Sequence, residues 1–149
     1  MEPSCIEENA RERERLRWLT EGLSDAQLSA RLGTDWTVAV ALAHLAFWDQ
    51  RSLVLIRKWK QSGVVEPVPV NIEVLNDALL PLWLALPPRE ASRLALECAE
   101  AVDGELAQTD ADLIAEMERI EGKSRVYRSI HRKMHLDEIE ALLNRGGRA

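Results

Sequence analysis

The stretch TDWTVAVALAHLAFWDQRS, residues 34–52, decides the fold of this chain. Thr37 is a residue type that caps helix N-termini, and the apolar residues after it recur at helical rather than alternating spacing. The pattern predicts a long helix from about residue 38 to residue 61. One face of that helix carries Ala41, His44, Trp48, Leu55 and Trp59. Because such a face is almost wholly apolar, we expect it to point into a core.

The rest of the chain also has helical patterning. Further long helices are predicted at residues 7–23, 89–108 and 124–144, with shorter helical segments at 25–32, 72–86 and 110–122. Pro81 lies inside one short segment and is expected to bend or break it. The sequence has no strand-like alternation and no internal repeat. We therefore predict an all-α fold, a four-helix bundle with short helical insertions, as a single domain over residues 1–149.

Composition narrows the classes of partner. Apolar residues make up 46% and charged residues 30%, as in soluble globular proteins, and a net charge of −6 disfavours binding to nucleic acid. The start of the chain lacks the features of a signal peptide, and the longest apolar stretch, Val38 to Trp48, is too short to span a bilayer. Cys5 and Cys98 form no CxxC pair and are expected to be free structural thiols. These features predict a cytoplasmic protein without a nucleic-acid or membrane partner.

The three histidines of the chain are the candidate functional residues. His131 and His135 lie four residues apart in SIHRKMHLDEIE, residues 129–140, and so share one helix face. His44 lies on the apolar face of the second long helix. Side chains on facing helices can hold a metal in a bundle core. Spacing alone leaves two readings open, because a histidine on an apolar face is often a core residue and an HxxxH pair also arises by chance.

The residues around the histidines exclude several kinds of metal site. A zincin places Glu directly after its first histidine, where this chain has Arg132. A di-iron bundle places Glu three residues before each histidine, where this chain has Ala41, Arg128 and Arg132. No cysteine lies nearby in sequence, which disfavours a closed Cys/His zinc site. Three neutral imidazoles would leave a fourth position open, as in catalytic zinc sites, and such a metal lowers the pKa of a bound water or a substrate thiol.

Several other residues have both a functional and a structural interpretation. Asp49 and Glu138 could orient imidazole N–H groups, or could be solvated or paired with a cation. Tyr127 could donate to a substrate, or could be a core residue with its hydroxyl at the surface. Arg51 could bind the carboxylate of a thiol, or lie at the surface. Four tryptophans could line a pocket for an apolar substrate, or could pack in the core as aromatic residues usually do. They are Trp36, Trp48, Trp59 and Trp83.

Taken in order along the chain, these motifs resemble the DinB/YfiT-like superfamily of four-helix bundles. The resemblance rests on Trp36 just before the second long helix, His44 in LAHLAFWD, and the pair His131 and His135 in YRSIHRKMHLDEI. It covers essentially the whole chain, including LSDAQLSARL at residues 23–32. It implies that the three histidines hold a divalent metal, commonly zinc or nickel, and that the protein is a homodimer.

The resemblance also implies two kinds of function. Characterised branches include transferases that depend on a thiol (bacillithiol, mycothiol or glutathione) and maleylpyruvate isomerases. We therefore expect a metal-dependent enzyme, a thiol-dependent transferase or a hydrolase, that acts on a small molecule. A related branch protects against genotoxic metabolites, so the alternative is a non-catalytic bundle that binds or sequesters a small molecule, with the metal incidental.

Overall fold

A computed structural model describes residues 4–33 and 35–146 of the chain. Its α-helices are α1 (Cys5–Gly22), α2 (Asp25–Leu28), α3 (Val38–Ser62), α4 (Ile72–Ala85), α5 (Pro88–Ala107), α6 (Ala111–Glu121) and α7 (Arg128–Gly146), and a 3₁₀ turn (Lys123–Arg125) precedes α7. Across these residues the only β pairing is one isolated bridge between Arg31 and Thr37. The predicted all-α fold is confirmed.

Four long helices, α1, α3, α5 and α7, form the bundle. α3 packs along α5, and α1 packs against both α7 and α5. Each of the four helices contributes apolar side chains to one fully buried cluster, which includes Leu16, Leu42, Leu45, Ala95, Ala99, Leu136 and Ile139. Burial of this apolar surface is the main favourable contribution to folding, so the bundle is held together by the faces that the sequence pattern marks as apolar.

α3 is the central helix and begins and ends as the sequence predicts. The Thr37 hydroxyl accepts a hydrogen bond from the Val40 amide at 3.1 Å, which caps the N-terminus. Gly63 ends the helix with a left-handed φ of 75°, and its amide donates to the Trp59 carbonyl. By length and composition alone α3 could cross a membrane, but 78% of its most apolar window is buried inside the bundle. A buried core helix gives the same signal.

Two boundary predictions differ from the structure. α2 ends at Leu28 rather than near Gly33, because the residues after it form other backbone hydrogen bonds: the Leu32 amide donates to the Trp36 carbonyl and the Val38 amide to the Ala30 carbonyl. α7 begins at Arg128 rather than at Ser124, which lies in the 3₁₀ turn. Tyr127 therefore precedes α7 and does not lie on the helix face of His131.

Pro81 is expected to bend or break its helix, and it does not break it, because α4 runs through this residue to Ala85. Proline removes the hydrogen bond to the carbonyl four residues earlier, which is that of Asp77. Both residues are exposed, so water can solvate that carbonyl. α4 packs against α3, where Trp83 is its one buried residue, and its Asn76 side chain accepts a hydrogen bond from Trp48 beside the histidines.

Candidate metal centre and pocket

The three histidines converge at one place in the bundle. α3 presents His44, and α7 presents His131 and His135 one turn apart. The ring centroids of the three pairs lie 4.7 to 4.8 Å apart. The Nε2 atoms of His44 and His131 lie 2.8 Å apart, and one nitrogen from each ring lies within 4.8 Å of the others. Residues from opposite ends of the sequence thus form a single cluster of nitrogen donors.

The cluster is held in the neutral form. His44 and His135 are buried and His131 is half-buried. The pKa of His44 is lowered to about 3 and that of His131 to about 2; burial is the largest cause in both, and the charge of Arg128 contributes to the low pKa of His131. Burial also lowers the pKa of His135. Near pH 7 all three imidazoles therefore keep a nitrogen lone pair, which coordination to a metal requires.

The donor set fits a divalent metal ion. His44 Nδ1 and both ring nitrogens of His135 are buried without a hydrogen-bond partner in the described part of the chain. Glu138 Oε2 lies 3.7 Å from His135 Nδ1, too far for a hydrogen bond. Leaving buried polar nitrogens unpaired costs free energy, and a metal ion would offset that cost. Imidazole nitrogen suits zinc and nickel well.

Tryptophan rings surround the histidines. The Trp36 ring lies 4.8 Å from that of His44 and is stacked against that of His135 at 6.0 Å. The ring of Trp83 lies 5.4 Å from that of His44, edge to face. Trp48 donates its indole N–H to the Asn76 side chain at 3.1 Å. These contacts fix the imidazoles between rigid apolar walls, which restricts water around them.

A pocket of about 500 Å³ opens onto the three histidines. This volume is within the range of small-molecule sites. Its apolar lining includes Trp36, Trp48, Ile72, Ile130 and Met134, and its polar lining includes Asn76, Ser124, Arg125 and Arg128. Of the four tryptophans considered from the sequence, Trp36 and Trp48 line the pocket, and Trp83 packs behind it. Trp59 lies in a separate buried cluster and donates to the Glu66 carbonyl.

A buried charge network lies beside the histidines. Asp49 is 1% exposed and accepts hydrogen bonds from Arg128 and Arg132. Arg132 is fully buried, and its guanidinium also donates to both carboxylate oxygens of Asp103. The interpretation of Asp49 as a solvated residue is therefore wrong. Asp49 accepts hydrogen bonds from two arginines of α7, and in this way it influences the imidazoles through the position of that helix.

The remaining candidates lie at the edge of the site or outside it. Glu138 is about half exposed, beside His135. Tyr127 packs against the separate apolar cluster around Met117, with the Lys123 ammonium 4.7 Å above its ring. The Arg51 guanidinium lies 5.6 Å over the Trp48 ring and donates to the Val68 carbonyl.

The two cysteines are free, and Cys5 is buried while Cys98 is half-buried. Burial raises the pKa of each thiol. The reactive form of cysteine is the thiolate. Both side chains therefore have the character of structural thiols rather than nucleophiles.

Sequence reasoning missed Arg125, Arg128 and Asn76 as pocket residues. A signal was present for Arg128, because it lies three residues before His131 and therefore on the same side of the helix. An arginine on an inward-facing stripe must find a buried carboxylate or a ligand. Asn76 gave no such signal, because its place depends on how α4 lies over the bundle.

Comparison with known proteins gives one match. A family model described as DinB superfamily matches residues 8–142. The match spans both helices that carry the histidines. No curated protein and no solved structure matches the chain.

Proposed function

This chain belongs to the DinB superfamily, and on that premise we propose that it is a metal-dependent enzyme that acts on a small molecule. His44, His131 and His135 are the proposed ligands, and zinc or nickel is the proposed metal. The observation that carries the proposal is the convergence of three neutral imidazoles on a pocket large enough for a substrate. A bound divalent ion would supply a Lewis acid that lowers the pKa of a water or of a substrate thiol.

The pocket lining favours thiol transfer over hydrolysis. Hydrolases of this kind position a carboxylate as general base for the attacking water. Among the described residues that line the pocket, none is Asp or Glu. A thiol needs less help, because its ordinary pKa of about 8.5 already lies near neutrality. We therefore propose transfer of a low-molecular-weight thiol (bacillithiol, mycothiol or glutathione) to an electrophile, and hydrolysis remains the less favoured reaction.

The protein's own residues bind and orient the reactants in this proposal. Trp36 and Trp48 offer flat apolar surfaces to the electrophile, and Met134 can adapt to its shape. Asn76 accepts a hydrogen bond from the Trp48 N–H, and its side chain also interacts with His44, so it places a polar group between the histidines and the pocket. Because these walls are apolar, they exclude water and favour reaction with the thiol over hydrolysis of the electrophile.

A second candidate is a non-catalytic bundle that binds or sequesters a small molecule. The same lack of a carboxylate in the described pocket lining supports this alternative, because a binding protein needs no general base. In that case the pocket would hold its ligand with similar affinity whether or not metal is present. A genotoxic or otherwise harmful metabolite is the proposed ligand.

Kinetics with a fluorogenic electrophile, such as monochlorobimane, separate the two candidates. We expect zinc- or nickel-loaded protein to accelerate conjugation with one of the three thiols. Chelator-treated protein and the His131→Ala variant should react at the uncatalysed rate. Lys133→Gln, two residues away on the exposed side of α7, is the matched control and should keep the activity. Tight ligand binding without turnover, unchanged by chelator, would support sequestration instead.

A homodimer in the cytoplasm completes the proposal. Exposed apolar side chains on α4, among them Leu82 and Leu84, support association between copies, because monomers rarely expose large apolar patches. We expect light scattering to give twice the chain mass of 16.8 kDa.

A further inference from the structure

Arginines line one side of the histidine pocket. Arg125 lies in the 3₁₀ turn before α7, and Arg128 is the first residue of α7. Both line the pocket. Arg51 approaches from α3, where its guanidinium lies over the ring of Trp48, itself a lining residue. Three guanidinium groups from two parts of the chain therefore gather around the same cavity.

Nearby carboxylates do not balance these charges. Arg128 Nε donates to Asp49 at 2.8 Å, but Arg132 also binds Asp49. Arg125 has one nearby carboxylate, that of Glu121 at 3.2 Å, and its other recorded contact is the neutral Ser52 hydroxyl at 2.9 Å. The Arg51 guanidinium donates a hydrogen bond to the Val68 carbonyl, which is neutral. The group therefore carries excess positive charge beside an apolar cavity.

Two of the guanidinium nitrogens are also unsatisfied. Arg125 Nε and Arg51 Nη1 are buried and have no hydrogen-bond partner within residues 4–33 and 35–146. Burial lowers the pKa of Arg125, the charge of Glu121 partly offsets this, and the charges of Arg128 and Arg51 lower the pKa as well. A buried cation with unpaired N–H groups is costly. An anion in the pocket would supply both the missing charge and the missing acceptors.

We propose that Arg125 and Arg128 bind a carboxylate of the small molecule that occupies this pocket. This inference rests on the proposed function only in that both use the same pocket. A carboxylate matches the planar fork of a guanidinium group, which can donate two parallel hydrogen bonds to it. The apolar part of the molecule packs against Trp48, Ile130 and Met134, so that its other end reaches the histidines. The ligand class is therefore an organic acid with an apolar body.

Binding to metal-free protein tests this proposal separately from the proposed enzyme activity. Chelator treatment is needed because a carboxylate would also bind a metal on the histidines. The probes are phenylbutyrate and its neutral amide, phenylbutyramide, and the readout is isothermal titration calorimetry. We expect the acid to bind about tenfold or more tightly than the amide, as charge-assisted hydrogen bonds predict.

Variants of the arginines locate the effect. Arg125→Gln should weaken binding of the acid by about tenfold and leave binding of the amide unchanged. Arg119→Gln, on the exposed side of α6, is the matched control and should bind both probes as the wild type does. If Arg125→Gln also loses the amide, Arg51→Gln decides, since Arg51 is not itself a lining residue and its loss removes a positive charge beside the cavity, which should weaken the acid alone.

Three results would overturn the proposal. One is equal affinity of the wild type for the acid and the amide. Another is no measurable binding of either probe. The last is an unchanged affinity for the acid in Arg125→Gln, or in Arg51→Gln if Arg125→Gln loses both probes. None of these results depends on whether the metal-loaded protein has transferase activity.

Discussion

Asp49 and Arg132 form a buried ion pair that ties together the two helices carrying the histidines. Arg132 Nη2 donates to Asp49 Oδ2 at 3.1 Å, and the two side chains are 0% and 2% exposed. Asp49 lies just over one turn beyond His44 on α3, and Arg132 directly follows His131 on α7. The pair therefore fixes how α3 and α7 meet, and with it the position of one imidazole relative to the others.

Replacing Arg132 with methionine should strongly destabilise the fold. The substitution leaves Asp103 without Arg132 and leaves Asp49 with Arg128 alone. Breaking a buried ion pair from one side costs about 3–5 kcal/mol, and here two buried carboxylates each lose one of their arginines, while Arg13 still pairs with Asp103. Urea unfolding followed by circular dichroism measures this change.

The control for that experiment is Lys133→Gln. Lys133 is next to Arg132 in sequence but is exposed and pairs with exposed Asp137. Surface ion pairs contribute little, so this variant should unfold almost as the wild type does. Equal stability of Arg132→Met and the wild type would show that the network does not hold the helices together.

The three histidines should bind metal as a unit. Alanine in place of any one of them leaves two imidazoles, which hold a divalent ion much less well, so each variant should lose most of its metal. Elemental analysis of protein purified without a histidine tag gives the metal content, with Lys133→Gln as the control. A stoichiometric ion in His44→Ala would contradict the three-histidine site.

Acid should destabilise the metal-free protein through the histidines. Their folded-state pKa values lie below the ordinary value near 6.5, at about 3 for His44 and about 2 for His131. Below pH 6.5 the unfolded chain takes up protons that the folded chain does not. Stability is therefore fully present above pH 6.5 and falls as the pH drops, by up to about 1.4 kcal/mol per pH unit for each of these two histidines.

His44→Gln isolates one of these contributions. Other titrating groups act alike in both proteins, so the variant should lose stability between pH 6.5 and pH 5 less steeply, by about 1.4 kcal/mol per pH unit. Urea unfolding at several pH values gives the two slopes. Parallel slopes would mean that His44 titrates in the folded protein as it does in the unfolded chain.

The metal should stabilise the bundle without being needed for it. The core clusters lie along the whole bundle and do not depend on the histidines, so chelator-treated protein should remain helical. Metal at a hundredfold excess over its dissociation constant should add about 2.7 kcal/mol. This increment should fade toward pH 5, because protons compete for the imidazoles.

Thermal melts with and without chelator, followed by circular dichroism, measure that increment. The same melts near neutral pH and near pH 5 show whether it fades. Loss of helix on removal of the metal at neutral pH would make the site structural and would weaken the proposal of an enzyme.

The sequence by itself determined the helices and the inward direction of the histidines. Local features specify α3. Thr37 caps its N-terminus, the apolar residues that follow recur at helical spacing, and Gly63 ends the helix in the left-handed conformation. The spacing of His131 and His135 likewise follows from the helical repeat. These features depend on residues within a few positions of one another, which is why a pattern can reveal them.

Only the tertiary structure decided where α7 begins. The Asn9 side chain on α1 accepts from the Ser129 amide and donates to the Val126 carbonyl, both at 2.8 Å, and so satisfies the first turn of α7 from 120 residues away. Tertiary packing also decides which buried carboxylates pair with Arg132. It likewise brings Arg51, Arg125 and Arg128 together around the pocket. Such contacts depend on how helices distant in sequence pack, and no local pattern of residues encodes that arrangement.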